Sequence, residues 1–171
     1  RRMAWAADNR SLIVDRNDKD TKRRQLFYIF HTTSKDEHLV IISDETDDTW
    51  QAPLSVIFEP NPKDASQLFF CSEKDGYNHI YLATLEKKTA EAIPTSDPRQ
   101  ENKSDADYTS KVNVKQFTEG KWQVEWAKWT SAGDHVIYFS TEGNAAARTV
   151  FDLSLSPGQK KGLHHSPSDI R

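Results

Sequence analysis

The chain has 171 residues, 29 % of them charged and 11 % aromatic, with five Trp and a formal net charge of −3. That length suits one domain with a real core, and so large an aromatic share excludes a disordered chain. The longest basic run is Lys22-Arg23-Arg24, expected at the solvated tip of a turn, so the composition argues against nucleic acid as a partner.

From the N-terminus onward, short apolar, β-branched and aromatic runs alternate with polar turns. The expected strands are Ser11–Val14, Gln25–Phe30, His38–Ile42, Leu54–Phe58, Gln67–Cys71, His79–Leu82, Trp122–Trp129, His135–Phe139 and Thr149–Leu153. Side chains of this kind suit a pleated, half-buried surface. In Trp122–Trp129 large apolar and polar residues alternate, which is the period of a strand and not of a helix. Between the strands lie Asn17-Asp18, Asp75-Gly76, Glu119-Gly120, Gly133-Asp134 and Gly143-Asn144, residues that tolerate positive φ. The expected fold class is all-β.

The strands repeat. Ser43-Asp-Glu-Thr-Asp-Asp-Thr-Trp50-Gln51 is echoed by Phe117-Thr-Glu-Gly-Lys-Trp122-Gln123. A strand ending in Ser-Glu or Ser-Thr-Glu follows each time, Leu68–Glu73 and Ile137–Glu142, then a Gly turn and an aromatic strand at His79 or Thr149. Short four-stranded units in series describe the blades of a β-propeller. The division expected is one partial propeller domain over 1–171, with blades at about 1–50, 51–121 and 122–165 and a polar insertion at 95–111. The turn-rich stretch from Ser156 is read as the start of a further blade. Both ends read as cuts within a longer chain, because three blades leave two apolar end faces that only neighbouring blades would bury.

At Ser72-Glu-Lys-Asp-Gly-Tyr-Asn-His-Ile-Tyr81 the sequence resembles a blade motif of the N-terminal propeller of the dipeptidyl peptidase IV family. Asp44–Trp50 resembles the junction before that blade, Gln116–Val124 the approach to the next, and Trp5–Phe30 the blade before, so the resemblance covers nearly the whole chain. It implies a serine exopeptidase that removes N-terminal dipeptides, built from an eight-bladed propeller and a C-terminal α/β-hydrolase domain. That hydrolase domain and peptide substrates are the partners implied, and a periplasmic or extracellular setting is favoured. The family's nucleophile sits in a Gly-x-Ser-x-Gly elbow. No Ser of this chain has a Gly both two positions before it and two positions after it, and the Glu pair with which the family anchors the substrate ammonium has no Glu-Glu counterpart here. The chain by itself is therefore expected to be a non-catalytic segment that gates access to the pocket and shapes it. No catalytic, substrate-binding or metal residue is assigned. The alternative is a stand-alone interaction or lectin-like propeller.

The remaining constellations are read structurally. His79 is expected to bond to a backbone carbonyl and Tyr81 to fill the layer between blades, with Asp75-Gly76 forming a tight hairpin. The single Cys71 is read as a small core hydrophobe. His164-His165, in an expected flexible tail, has no third ligand at metal-binding spacing. Asn9-Arg-Ser11 and Asn102-Lys-Ser104 match the glycosylation acceptor pattern. No phosphate-binding glycine loop occurs, so no cofactor is expected. No apolar run approaches the roughly 20 residues that span a bilayer. The uncovered end blades lead to an expectation of self-association.

Overall fold

A computed structural model of the chain describes residues 2–30, 38–49, 57–87, 108–155 and 160–165. Among the described residues twelve strands form three four-stranded antiparallel sheets, and no helix occurs. Sheet 1 takes β1 (Arg2–Trp5), β2 (Leu12–Asn17), β3 (Arg23–Phe30) and β4 (His38–Thr46) in that order. Sheet 2 takes β5 (Phe58–Pro60), β6 (Gln67–Ser72), β7 (His79–Lys87) and β8 (Tyr108–Gln116), and sheet 3 takes β9 (Val124–Trp129), β10 (His135–Ser140), β11 (Thr149–Ser154) and β12 (Lys160–His165). Each sheet is a meander in sequence order, which is the construction of a propeller blade.

The sheets stack face to face, and the pleat decides which residues meet. Along β6 successive side chains point to opposite faces. Leu68 and Phe70 join Ile13, Leu26, Tyr28 and Val40 in the core between sheets 1 and 2. Phe69 and Cys71 join Val124, Trp129, Val136 and Tyr138 in the core between sheets 2 and 3. Sheet 2 is thus buried on both sides, which is why β6 reads as a continuous apolar run while β2 and β10 alternate buried with partly buried positions.

The repeat read from the sequence appears as register. Leu68 is the second residue of β6 and Val136 the second of β10. Ser72 pairs with His79 in sheet 2 as Ser140 pairs with Thr149 in sheet 3. Each serine hydroxyl accepts a backbone N–H two residues on, from Lys74 and from Glu142, and each following turn holds a glycine at positive φ, Gly76 at 90° and Gly143 at 82°. The first hairpin of every sheet is closed alike, by Ala6 N–H to Ser11 O, Asn61 N–H to Gln67 O and Thr130 N–H to His135 O, at 2.9 Å each. Trp50, expected to match Trp122, lies outside the described residues.

The structure differs from the sequence expectations at several places. β9 begins at Val124, so Trp122 stands in the loop before it, and a bulge in the β9–β10 ladder turns Trp126 outward. Of the polar stretch 95–111, the described part begins at Tyr108 and is already strand β8, paired with β7. The stretch after Ser156 supplies β12 as the fourth strand of sheet 3 and does not open a new sheet, which also places His164 and His165 in a strand. Asp75-Gly76 is not a two-residue hairpin. The connection runs from Glu73 to Asn78, with Gly76 N–H donating to Glu73 O at 2.7 Å, and only Gly76 of the two takes positive φ. Lys22 and Arg23 are exposed as expected, but Arg23 and Arg24 open β3, each paired with an Asp, and Arg24 is drawn inward.

Candidate functional site at the junction of sheets 2 and 3

The Ser72–Tyr81 motif lies where sheet 2 meets the loop leading into sheet 3. His79, 1 % exposed, contacts that loop with both ring nitrogens, Nε2 lying 3.0 Å from the Gly120 carbonyl and Nδ1 3.2 Å from Thr118 Oγ1. A carbonyl only accepts, so Nε2 carries the proton and Nδ1 accepts from the Thr118 hydroxyl. Thr118 Oγ1 in turn accepts the Ile80 N–H at 2.9 Å. The His79 ring meets the Trp122 indole edge-on at 4.9 Å between centroids. Asn78 completes the junction, its Nδ2 donating to the Val124 carbonyl at 2.7 Å while Val124 N–H donates to the Asn78 carbonyl at 2.8 Å. The carbonyl-bonded His79 of the sequence reading is therefore observed, and both nitrogens are committed to protein partners.

Tyr81 fills the layer between sheets 1 and 2. Its ring stacks on Phe70 at 5.6 Å, Lys74 Nζ sits 4.0 Å above it, and its hydroxyl donates to Asp75 Oδ2. Burial, then the bond to Asp75, pushes its ionisation up, so it holds its proton and serves as a fixed donor. Cys71 is fully buried and burial pushes its thiol up to about 12. A thiolate is the reactive form, so this sulfur packs and does not react.

At the opposite end the same two sheets are tied again. Trp129 N–H donates to Glu59 Oε2 and Trp129 Nε1 to the Glu59 carbonyl, both at 2.9 Å. Asn61 Nδ2 reaches the Gly133 carbonyl at 2.8 Å. Beside this tie a cleft of about 250 Å³ is lined by the first strands of all three sheets: Arg2 of β1, Ile57, Phe58 and Glu59 at β5, and Trp126, Ala127 and Lys128 of β9. The Arg2 guanidinium lies 5.3 Å from the centre of the Phe58 ring. The cleft offers two cationic groups, one carboxylate and an exposed indole, a surface that can hold a polar chain but contains no hydroxyl or thiol nucleophile among its lining residues.

No group of three His, Cys, Asp or Glu suited to a metal occurs among the described residues. Asn9 stands in the first hairpin turn at φ 54°, and Asn102 lies outside the described residues. Sequence reasoning missed Asn61, Asn78, Thr118 and the cleft. Each depends on a partner some 40 to 70 positions away, as in Asn78 to Val124 or Asn61 to Gly133. The one local trace of the junction was Thr118 and Gly120 within the repeated turn before Trp122.

Stacked meanders of four antiparallel strands, joined through polar ties at both ends of a shared sheet, define a segment of a β-propeller. Residues 1–170 match the family described as the dipeptidyl peptidase IV N-terminal region, and the chain belongs to that family. It also resembles a solved structure from Bacteroides ovatus ATCC 8483, provisionally named a dipeptidyl aminopeptidase IV, with TM-score 0.60 and 21 % identity over 92 % of this chain. The match covers 21 % of that structure's chain, so this chain spans about a fifth of it. No curated protein sequence matches the chain significantly.

Proposed function

We propose that this chain is a non-catalytic propeller segment of a dipeptidyl peptidase IV-like serine exopeptidase, and that it gates access to the pocket and helps shape it for release of N-terminal dipeptides. Membership of the N-terminal region family carries the reading. The cleft supports it: the first strands of three successive sheets converge there, with Trp126, Arg2, Glu59 and Lys128 at its walls. In such an enzyme the chemistry belongs to a hydrolase domain, and this segment contributes only positioning and exclusion. The full reading frame should encode a Gly-x-Ser-x-Gly elbow downstream of Arg171. Its absence would favour a stand-alone binding module.

The isolated chain should release nothing above buffer from Gly-Pro or Ala-Pro chromogenic amides. Turnover abolished by an active-site serine reagent would overturn the reading. In the full-length enzyme, Trp126→Ala and Lys128→Ala should raise KM several-fold with kcat little changed, as expected of residues that contact substrate remote from the bond cleaved. Unchanged KM in both variants would leave the cleft without a role in substrate access.

A further inference from the structure

The seam between sheets 1 and 2 holds a polar cluster inside otherwise apolar packing. Asp15, 1 % exposed, accepts from Arg24 Nε through Oδ1 at 2.8 Å. Arg24 Nη1 crosses the seam to the Cys71 carbonyl at 3.3 Å. Asn17 pairs with Arg24 in the β2–β3 register. Three buried atoms of this cluster, Asp15 Oδ2, Asn17 Oδ1 and Arg24 Nη2, have no hydrogen-bond partner among the described residues. Buried polar atoms are almost always paired, with protein or with ordered water, because leaving them unpaired forfeits their hydration.

Two other arginines of the chain show what a closed pair looks like. Arg23 reaches Asp44 through Nε at 2.8 Å and Nη2 at 2.6 Å, and Arg148 reaches Glu125 through Nε at 2.9 Å and Nη2 at 2.8 Å. In the Arg24–Asp15 pair the first arm has the same length and the second is open. A further arm, Nη1, reaches the Cys71 carbonyl, so the guanidinium is held by Asp15 Oδ1 within sheet 1 and by the backbone of sheet 2.

We propose that a single ordered water occupies this open fork, donating to Asp15 Oδ2 and Asn17 Oδ1 and accepting from Arg24 Nη2. The two acceptors and one donor are the complement of one water, which makes about three bonds when buried. A cation would suit the two oxygens but face the Arg24 guanidinium. An anion would suit Arg24 but face the Asp15 carboxylate. Only a small neutral molecule with two donors and a lone pair meets all three atoms without repulsion.

A crystal structure of this chain at a resolution that orders solvent tests the site. A density peak within about 3.2 Å of all three atoms is expected. Arg24 Nη2 bonded directly to Asp15 Oδ2 or Asn17 Oδ1, with no density between them, would overturn the proposal. In solution, thermal melting titrated with calcium chloride or sodium phosphate, at ionic strength matched by sodium chloride, should show no saturable rise. A rise with either salt that Asn17→Ala abolishes would assign the site to an ion and sink the water. Asn17 is only partly buried, so that variant reads the site without removing the Asp15–Arg24 pair.

Discussion

Gly133 shows how one residue can hold two sheets in place. It lies at φ 75°, and a Cβ added there would stand 2.3 Å from Asn61 Oδ1, while its carbonyl accepts from Asn61 Nδ2. Gly133→Ala therefore strains the backbone and displaces the tie at once, and a loss of about 1–3 kcal/mol is expected in urea unfolding. Asn61→Ala should cost a similar amount, and the double variant less than the sum of the two, because both remove one bond. Additive losses would show that the tie is not shared. His135 makes a second residue-scale prediction. Its Nδ1 donates to Asp152 Oδ1 at 2.5 Å, with Asp134 4.0 Å from Nε2 and Lys161 paired with Asp152 in the register of β11 and β12. The bond to Asp152, foremost, raises the His135 pKa above its ordinary value. A group raised on folding stabilises fully below its unfolded value, about 6.5, and loses that stabilisation as pH rises through the folded value. The melting temperature should fall by more across pH 6 to 8.5 in the parent chain than in Asp152→Asn, and equal slopes would refute the coupling.

At the scale of the element, burial on one face or two separates the sheets. Phe69 is fully buried and packs 5.6 Å from Trp129 in the second core. Phe27, on the outer face of β3, is only partly buried. Phe69→Ala should cost about 3–5 kcal/mol, the range for an aromatic removed from a closed core. Phe27→Ala, measured at a concentration low enough to keep the chain monomeric, should cost under about half as much, since the outer face of sheet 1 then meets water. Similar losses at both positions, measured by urea unfolding with unchanged m, would mean that the outer face of sheet 1 is covered. The contrast lies in the burial: Leu68-Phe69-Phe70-Cys71 is buried throughout because both faces of β6 are inside, while from Leu12 to Asp15 partly buried and buried positions alternate. β8 and β12 were not legible. Their residues, such as Lys111, Lys115 and Lys160, are exposed on outer strands, and a strand held mainly by its ladder carries little apolar pattern.

For the whole molecule the two end faces matter most. Across sheet 1 the register lines up Met3, Val14, Phe27 and Ile41 in one row and Trp5, Leu12, Ile29 and Leu39 in the next. Met3 is 67 % exposed, Trp5 56 %, Leu39 51 % and Ile41 48 %, an apolar surface of the kind that finds a partner. The outer face of sheet 3 carries one apolar row, Trp126, Phe139 and Val150, beside a mixed row of Lys128, Ile137, Asp152 and Lys161. The isolated chain should therefore self-associate through sheet 1 first. Each large side chain recovered from water contributes roughly 1.5–3 kcal/mol. Light scattering over a concentration series should show a mass above the monomer that Met3→Glu with Ile41→Lys lowers, while Phe139→Lys changes it less. A strictly monomeric chain, or equal effects from both faces, would contradict this.

The sequence by itself determined the all-β class, the repeat and the family resemblance, because period-2 patterning, glycine turns and a ten-residue motif are all local properties of the chain. It also read Cys71 as a core side chain and His79 as bonded to a backbone carbonyl, as the structure has them, since a thiol within an apolar run packs and a buried imidazole needs a polar partner. Only the tertiary structure decided which carbonyl His79 meets, that Arg24 turns inward to Asp15 and Cys71, and that Arg2, Phe58 and Trp126 share a cleft. Those outcomes depend on sheets brought together across tens of residues. The stacking that joins them is driven by apolar area, which is non-directional, so polar partners are selected only once the sheets are in place.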